Sequence, residues 1–219
     1  VSLVEPAIDP LQLCRFLVTA EATGVPVELV LAKADLTPPD RLRDWQARLE
    51  RWGYAPLAVS SHSGAGLDHL RARLARPGIA VICGPSGVGK SSLINALLPD
   101  LTLRVGAVSG RLQRGRHTTR HVELFPLVVA TDQPVTALLA DSPGFNRPEL
   151  PLDPQALAAL FPELRQRLTL QSCRFSNCRH QGDPGCAMGT DWDRYSLYGQ
   201  CLKEVEQASL QAQRRSRNP

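Results

Sequence analysis

A glycine-rich stretch between an apolar run and a helical pattern constrains this chain more than any other feature. The apolar run, Ile79–Cys83, is typical of a strand buried on both faces of a parallel sheet. Beyond the stretch, apolar residues recur every three or four positions up to Leu98, as on a helix. The stretch itself, which we call the phosphate loop, reads Gly84-Pro85-Ser86-Gly87-Val88-Gly89-Lys90-Ser91-Ser92.

The spacing G-x-x-x-x-G-K-S gives each residue of the phosphate loop a chemical reason. Glycines let backbone N–H groups and the N-terminus of the following helix surround a phosphate anion. The Lys90 ammonium can reach the outer phosphates, and the Ser91 hydroxyl can bind Mg²⁺. We therefore predict a nucleotide triphosphate site with Mg²⁺, against the alternative of a glycine-rich turn that binds nothing.

The length and charge of the chain restrict its class. Its 219 residues suffice for one large domain and a smaller one, and no apolar run approaches membrane-spanning length, so we expect a soluble, cytoplasmic protein that contacts no membrane. The net charge is only +4, but no acidic residue lies between Asp100 and Glu123. The basic residues of that stretch, which favour a nucleic-acid or phosphate partner over a solvated loop, are Arg104, Arg111, Arg114, Arg116, His117, Arg120 and His121.

Strands and helices alternate up to the phosphate loop, which predicts an α/β fold with a mainly parallel sheet and helices on both faces. We expect strands at Val27–Leu31 and Pro56–Ser60, and helices opening at Asp9-Pro10, Thr37-Pro38 and Leu67. Two later strands, Val122–Phe125 and Val135–Ala140, predict an antiparallel hairpin at one sheet edge. After residue 150 we expect a helix opening at Asp153-Pro154 and a final helix from about Trp192.

Two loops before the phosphate loop carry groups suited to a base. Ala32-Lys33-Ala34-Asp35 follows the strand Val27–Leu31. The Asp35 carboxylate can accept hydrogen bonds from N1–H and the exocyclic amine of guanine, a pair of donors that adenine does not offer. The alternative for this loop is a surface salt bridge. Ser60-Ser61-His62 follows the next strand and can offer backbone N–H groups to guanine O6, or be simply a turn and helix cap.

Two stretches after the phosphate loop suit hydrolysis. Asp141-Ser142-Pro143-Gly144 follows an apolar strand; the Asp141 carboxylate can hold Mg²⁺ through water, and the Gly144 N–H can bond a γ-phosphate. Gly115-Arg116-His117-Thr118-Thr119 offers a threonine, Thr118 or its neighbour Thr119, for the Mg²⁺ shell, as in a nucleotide switch. Phe145 stands where a water-positioning Gln is usual, so His117 is our candidate for polarising the attacking water; contact with RNA or solvent is its alternative.

A cysteine cluster near the C-terminus predicts a metal. Cys173, Cys178, His180 and Cys186 supply three thiolates and an imidazole within fourteen residues, which suits one tetrahedral Zn²⁺. Disulfides are the competing use. A closed Cys₃His site leaves no open position, so we expect the zinc to be structural.

Together these motifs resemble the circularly permuted GTPases, specifically the ribosome small subunit-dependent GTPase family (RsgA/YjeQ). The resemblance rests on the guanine loops preceding the phosphate loop, which gives the motif order 4-5-1-2-3, and on several further segments. These are Gly115–Thr119, Asp141–Phe145, the cysteine and histidine spacing, Pro184-Gly185-Cys186-Ala187 and Arg194-Tyr195. The family has Asn where this chain has Ala32, so the resemblance leaves a lower nucleotide affinity open.

The resemblance implies a GTPase domain over residues 1–150 and a small, mainly helical zinc-binding domain over 151–219. It also implies an N-terminal OB-fold domain that this chain does not contain. The implied function is GTP hydrolysis to GDP, stimulated by the small (30S) ribosomal subunit and its 16S rRNA during late maturation of that subunit, by a monomeric protein. An rRNA-binding clamp with negligible hydrolysis is the alternative.

Overall fold

The structure is a computed structural model and describes residues 1–98, 123–127, 137–141 and 148–217. Its contacts divide the chain into two compact units, each assembled from separate segments. The first unit contains Val1–Ile8, Leu29–Leu42 and Leu57–Arg147, and the second contains Asp9–Glu28, Arg43–Pro56 and Pro148–Pro219. The expected boundary at residue 150 falls near the start of the last segment, whereas two earlier segments also group with the C-terminal residues.

Among the residues that the structure describes, five strands form two hydrogen-bonded groups in the first unit. They are β1 (Val30–Ala32), β2 (Leu57–Val59), β3 (Gly78–Ile82), β4 (Glu123–Pro126) and β5 (Ala137–Asp141). Strands β1 and β2 pair in parallel, while the other group has the order β3-β5-β4, with β3 and β5 parallel. Strand β4 pairs antiparallel with β5 and lies outermost, which confirms the predicted edge hairpin.

One hydrophobic cluster spans both strand groups of the first unit. Helices α3 (Leu67–Leu74) and α4 (Lys90–Leu97) bury their apolar side chains in it, together with Val59 of β2 and Leu139 of β5. Both strand groups therefore share a core, although no backbone ladder joins them within the described residues.

Strand β3 is not buried on both faces, which corrects the expectation from its apolar run. Ala80 and Ile82 pack against the cluster, but Ile79 and Val81 are 58% and 53% exposed. Successive side chains of a strand point to opposite faces, and helices α3 and α4 contribute to the cluster on only one of them.

The second unit is mainly helical. Helix α1 (Pro10–Glu21) begins as predicted, because the Asp9 carboxylate accepts the N–H groups of Leu11 and Gln12 at 2.9 and 3.2 Å. Its other helices are α5 (Pro162–Leu170) and α6 (Tyr195–Arg217), while α2 (Pro39–Arg51) contributes residues to both units. No helix in the described ranges is long and apolar enough to cross a membrane.

The predicted helix opening at Asp153-Pro154 is wrong. Asp153 does accept the Gln155 N–H at 2.9 Å, but only a turn and a short 3-10 segment, Leu157–Leu160, come after it. The α-helix begins instead at Pro162, whose missing N–H and preset φ suit a first turn. The cap residue marked a real turn, but the chain bends again before a helix forms.

Aromatic side chains and one buried arginine fill the core of the second unit. Phe161 meets Trp192 and Tyr198 edge to face, with ring centroids 6.2 and 5.1 Å apart. The fully buried Arg194 forms a salt bridge with Glu163 and places its guanidinium carbon 4.5 Å from the Phe161 ring centroid. Arg194 therefore joins the helix α5 segment to the aromatic core.

Candidate functional site

The phosphate loop connects β3 to α4 in the conformation that its glycines require. Gly84, Gly87 and Gly89 have φ values of 149°, 83° and 98°, a region in which any other residue is strained. Gly89 is the N-cap of α4 and has no side chain that could accept hydrogen bonds from the first N–H groups of the helix. Backbone N–H groups at such a terminus favour an anion.

Lys90 turns back over the phosphate loop. Its ammonium donates to the carbonyl oxygens of Gly84 and Pro85, at 2.7 and 2.9 Å, and the side chain is half-buried. The positive charge is thus held against the first two residues of the loop. Phosphate oxygens are stronger acceptors than these carbonyls, since the hydrogen bonds they accept are charge-assisted at both ends.

The two loops predicted to contact a base, Ala32–Asp35 and Ser60–His62, are here called the first and second base loops. The first base loop lies against the phosphate loop. Lys33 adopts a left-handed conformation (φ 58°), and its Cε is 3.7 Å from the position that a β-carbon would take on Gly89. A 3-10 turn, Ala34–Leu36, carries Asp35 away from β1. The Asp35 carboxylate is exposed and takes part in no ion pair within the described part of the chain, which argues against the surface salt bridge.

The second base loop leaves the sheet beside the first. Ala32 of β1 and Val59 of β2 are partners in a parallel pair, so the two loops emerge from the same edge. Ser60 is fully buried, and its hydroxyl oxygen accepts the N–H groups of His62 and Ser63 at 3.2 and 3.0 Å. Ser60 therefore shapes the loop, whereas Ser61 is half-buried.

The parallel register of β3 and β5 brings a further predicted residue to the phosphate loop. Ile82, two residues before the loop, is the partner of Asp141. The carboxyl ends of parallel strands meet at one edge, so the backbone of Asp141 lies at the sheet edge from which the phosphate loop leaves. The other predicted residues of the hydrolytic stretches, His117, Thr118, Thr119 and Gly144, lie outside the described residues.

The N-terminal segment supplies contacts that the sequence analysis missed. The Lys33 ammonium donates to the Glu5 carbonyl at 2.6 Å, and Pro6 Cδ is 3.6 Å from the position of a β-carbon on Gly87. This segment therefore touches both a base loop and the phosphate loop. No sequence pattern could mark it, because its contribution comes from a backbone carbonyl and a ring edge.

The four predicted metal ligands come together in the second unit. The ligand atoms of Cys173, Cys178, His180 and Cys186 all lie within 4.8 Å of one another. His180 Nδ1 is 3.5, 3.7 and 3.6 Å from the three sulfur atoms in that chain order. Zn–S and Zn–N bonds of about 2.3 and 2.0 Å at a tetrahedral angle separate nitrogen from sulfur by about 3.5 Å. The donor set fits zinc.

Backbone geometry presents His180 to the three sulfurs. Its φ of 55° is left-handed, which costs a non-glycine residue about 1–2 kcal/mol. The ring is buried, and burial lowers the pKa of His180, so the neutral form that can bind a metal is favoured. N–H groups of Ala187 and His180 point at the sulfurs of Cys173 and Cys178, at 3.3 and 3.4 Å.

Comparison with known proteins identifies relatives over nearly the whole chain. Residues 1–151 match the family model described as RsgA GTPase. The chain is 59% identical over 206 residues to a protein of Synechococcus sp. (strain CC9605) named "Small ribosomal subunit biogenesis GTPase RsgA", covering 94% of this chain and 65% of that protein. It is 50% identical to the protein of that name from Thermosynechococcus vestitus, covering 94% and 57%. The chain thus spans less than two thirds of the length of these relatives.

Two solved structures share the fold. YjeQ from Thermotoga maritima matches with a TM-score of 0.73 at 28% identity, over 94% of this chain and 69% of that one. YloQ, described as a circularly permuted GTPase, matches with a TM-score of 0.70 at 27% identity, over 94% and 66%. Since the family model matches well over half of its residues and close relatives carry the family's name, this chain belongs to the RsgA GTPase family.

Proposed function

We propose that this chain binds GTP and GDP with Mg²⁺ and hydrolyses GTP as a factor in late maturation of the small ribosomal subunit, whose presence stimulates the reaction. The observation that carries this proposal is the contact between two loops. Lys33, two residues before the proposed base-reading Asp35, lies against Gly89 of the phosphate loop. Base and phosphate groups of one nucleotide can then be held together.

The proposed motif order is 4-5-1-2-3, with both guanine loops preceding the phosphate loop. Two parallel pairings support it. Ala32 pairs with Val59 at the ends of the strands that precede the two proposed guanine loops, and Ile82, just before the phosphate loop, pairs with Asp141, the first residue of the proposed third motif. A permuted chain can keep the sheet of an ordinary GTPase because strand pairing does not depend on where the chain begins.

Hydrolysis needs few covalent contributions from the protein, so its residues act mainly by position and charge. Lys90 and the phosphate-loop N–H groups bind the β- and γ-phosphates, while the Gly144 N–H bonds the γ-phosphate. Ser91 and Thr118 would hold Mg²⁺, with Asp141 acting through water; the ion supplies charge neutralisation on the phosphates. His117 would orient the attacking water, and Thr119, the neighbour of Thr118, is the other candidate threonine for the Mg²⁺ shell.

We assign the Cys₃His cluster to one structural zinc ion. Three thiolates and an imidazole at near-tetrahedral separations leave no position for a substrate. The ion would tie the loop between Cys173 and Cys186 to a single conformation. Elemental analysis of the purified chain tests this, with one zinc per chain as the expected result.

The proposed partner is the small ribosomal subunit through its 16S rRNA, and the place of action is the cytoplasm, with the protein acting as a monomer. The names of the relatives and the basic stretch between Asp100 and Glu123 support such a partner. GTP turnover of the 219-residue chain should be slow alone and rise at least about tenfold with small subunits, because proper orientation of the attacking water contributes rate factors of about 10²–10⁴.

Large subunits at the same concentration are the control, since they offer a comparable polyanion. Equal turnover with both subunits, or no rise with either, would contradict the proposal. Small subunits that bind the GTP-loaded chain without raising turnover would indicate the clamp instead. His117→Ala should lower the stimulated rate; an unchanged rate would remove His117 from the mechanism.

Asp35→Asn should exchange guanine for xanthine preference. The carboxylate accepts two hydrogen bonds from guanine, and a charged hydrogen bond is worth about 1.5–3 kcal/mol, so GDP affinity should fall about 100-fold while XDP affinity rises. Competition titrations with GDP, XDP and ADP measure this. Asp68→Asn is the matched control, because Asp68 is an exposed carboxylate of the same unit. Equal GDP and ADP competition in the unaltered chain would disprove the role of Asp35.

A further inference from the structure

The Asp183 carboxylate, which is not one of the four predicted ligands, accepts hydrogen bonds from the turn that carries His180. Asp183 Oδ2 accepts the backbone N–H of Arg179 at 3.2 Å and that of Gln181 at 3.3 Å. These two residues flank His180 on either side. One oxygen atom therefore holds the chain immediately before and immediately after a metal ligand.

These two hydrogen bonds restrain the backbone on either side of a residue with an unfavourable conformation. His180 is one of two non-glycine residues in the described part of the chain with a left-handed φ. An L-residue leaves this region readily unless its neighbours are fixed. Asp183 supplies that restraint, because both N–H groups can reach the same oxygen only while the turn between them stays folded.

The conformation of His180 decides whether the cluster can form. Its Nδ1 lies 3.5–3.7 Å from all three sulfurs, and a rotated backbone at this residue would carry the ring away from them. The Asp183 main chain adds to the arrangement, since its carbonyl accepts the N–H of Cys186 at 3.0 Å. Asp183 thus connects the segments of three of the four ligands.

A third contact of the same oxygen, 3.4 Å to Cys178 Sγ, depends on the thiol proton. A metal-bound thiolate cannot donate, so this contact does not persist when the metal is bound. The two backbone hydrogen bonds do not depend on the state of the sulfur. These two backbone hydrogen bonds are therefore the contacts by which Asp183 restrains the turn when a metal is bound.

We propose that Asp183 is a positioning residue for the metal centre, which raises zinc affinity by holding His180 in its ligating conformation. This inference rests on the proposed zinc site. It assigns to a non-ligating side chain a role that the Cys-x₄-Cys-x-His-x₅-Cys spacing does not reveal. Partners of this kind typically change metal affinity about 10- to 100-fold.

The test compares three variants of the 219-residue chain. Asp183→Ala removes the acceptor but keeps the main-chain carbonyl, Asp183→Asn keeps one oxygen acceptor, and Asp191→Ala removes an exposed carboxylate of the same unit. Zinc affinity is measured by competition with a chromophoric chelator. Substitution by Co²⁺ reports the ligand geometry through its visible absorption bands.

We expect Asp183→Ala to bind zinc about 10- to 100-fold more weakly than the wild-type chain and to show altered Co²⁺ bands. Asp183→Asn should bind zinc within a few fold of the wild-type affinity and show wild-type Co²⁺ bands. Asp191→Ala should leave both the affinity and the bands unchanged. Unchanged affinity and bands in Asp183→Ala would overturn the proposal, as would an Asn variant as weak as the Ala variant. Zinc-edge X-ray absorption that shows an oxygen ligand would make Asp183 a ligand and overturn it too. Wild-type chain without zinc would overturn the zinc site itself, which is a separate failure.

Discussion

Lys90→Ala should weaken GTP and GDP binding about 100-fold or more. The ammonium is held by the Gly84 and Pro85 carbonyls at the start of the phosphate loop, and a lysine at this position of the motif can reach the β- and γ-phosphates. Each charged hydrogen bond is worth about 1.5–3 kcal/mol, and two of them amount to at least about a 100-fold change in affinity. Titration with a fluorescent guanine nucleotide in the presence of Mg²⁺ measures the loss.

Lys203→Ala provides the matched control for this result. The chain has only three lysines, Lys33, Lys90 and Lys203, and the last is exposed on α6 in the second unit. Both variants lose one positive charge, so a general effect of charge would weaken binding equally in both. Nucleotide affinity within about threefold of the wild-type value in Lys90→Ala, with the fold retained by circular dichroism, contradicts the phosphate-loop assignment.

Arg194→Met should destabilise the second unit by about 3–5 kcal/mol, because it leaves the Glu163 carboxylate without its cation in a nearly buried position. The side chains of Arg194 and Glu163 are 0% and 12% exposed, and Arg194 Nη2 also donates to the Trp52 carbonyl at 3.4 Å. Burial opposes the charge on Arg194, but its hydrogen bonds to Glu163 raise the pKa of Arg194 above the ordinary value, so the guanidinium stays charged.

Denaturant unfolding followed by tryptophan fluorescence measures the loss of unfolding free energy in the second unit. All three tryptophans, Trp45, Trp52 and Trp192, belong to the second unit. Arg51→Met is the control, since its side chain is 62% exposed and its pair with Asp193 should contribute less than about 1 kcal/mol.

The double variant Arg194→Met/Glu163→Gln separates the two causes of this destabilisation. It should recover much of the loss, because the remaining amide carries no charge that burial penalises. An Arg194→Met variant as stable as Arg51→Met would show that the buried pair contributes little to the second unit.

Local patterns predicted the elements around the phosphate loop well, because the residues that shape them are neighbours in sequence. Gly84, Gly87 and Gly89 take the left-handed conformations that the loop requires, and Asp9-Pro10 opens a helix as expected. The helix predicted to open at Asp153-Pro154 does not form, because a capping residue is also only a local signal. A cap stabilises only the first turn, and whether a helix continues depends on how the next residues pack.

Exposure and assembly could not be read from the sequence. The run at β3 is apolar throughout, yet Ile79 and Val81 are exposed, since burial depends on which elements cover each face. Two early segments, Asp9–Glu28 and Arg43–Pro56, group with the C-terminal residues rather than with their neighbours in the chain. Contacts between residues far apart in sequence leave no local periodicity to detect.

The sequence by itself determined the local motifs of this protein: a phosphate-loop spacing, a carboxylate in a loop suited to guanine, and three cysteines with a histidine at metal-ligand spacing. Those signals are local, because a turn or a ligand pair needs particular residue types at short intervals. Only the tertiary structure decided that Lys33 meets Gly89, that Asp141 lies beside the phosphate loop, and that Asp183 holds the turn at His180. Strand register and backbone hydrogen bonds make these contacts, and neither is encoded in the identity of a single residue.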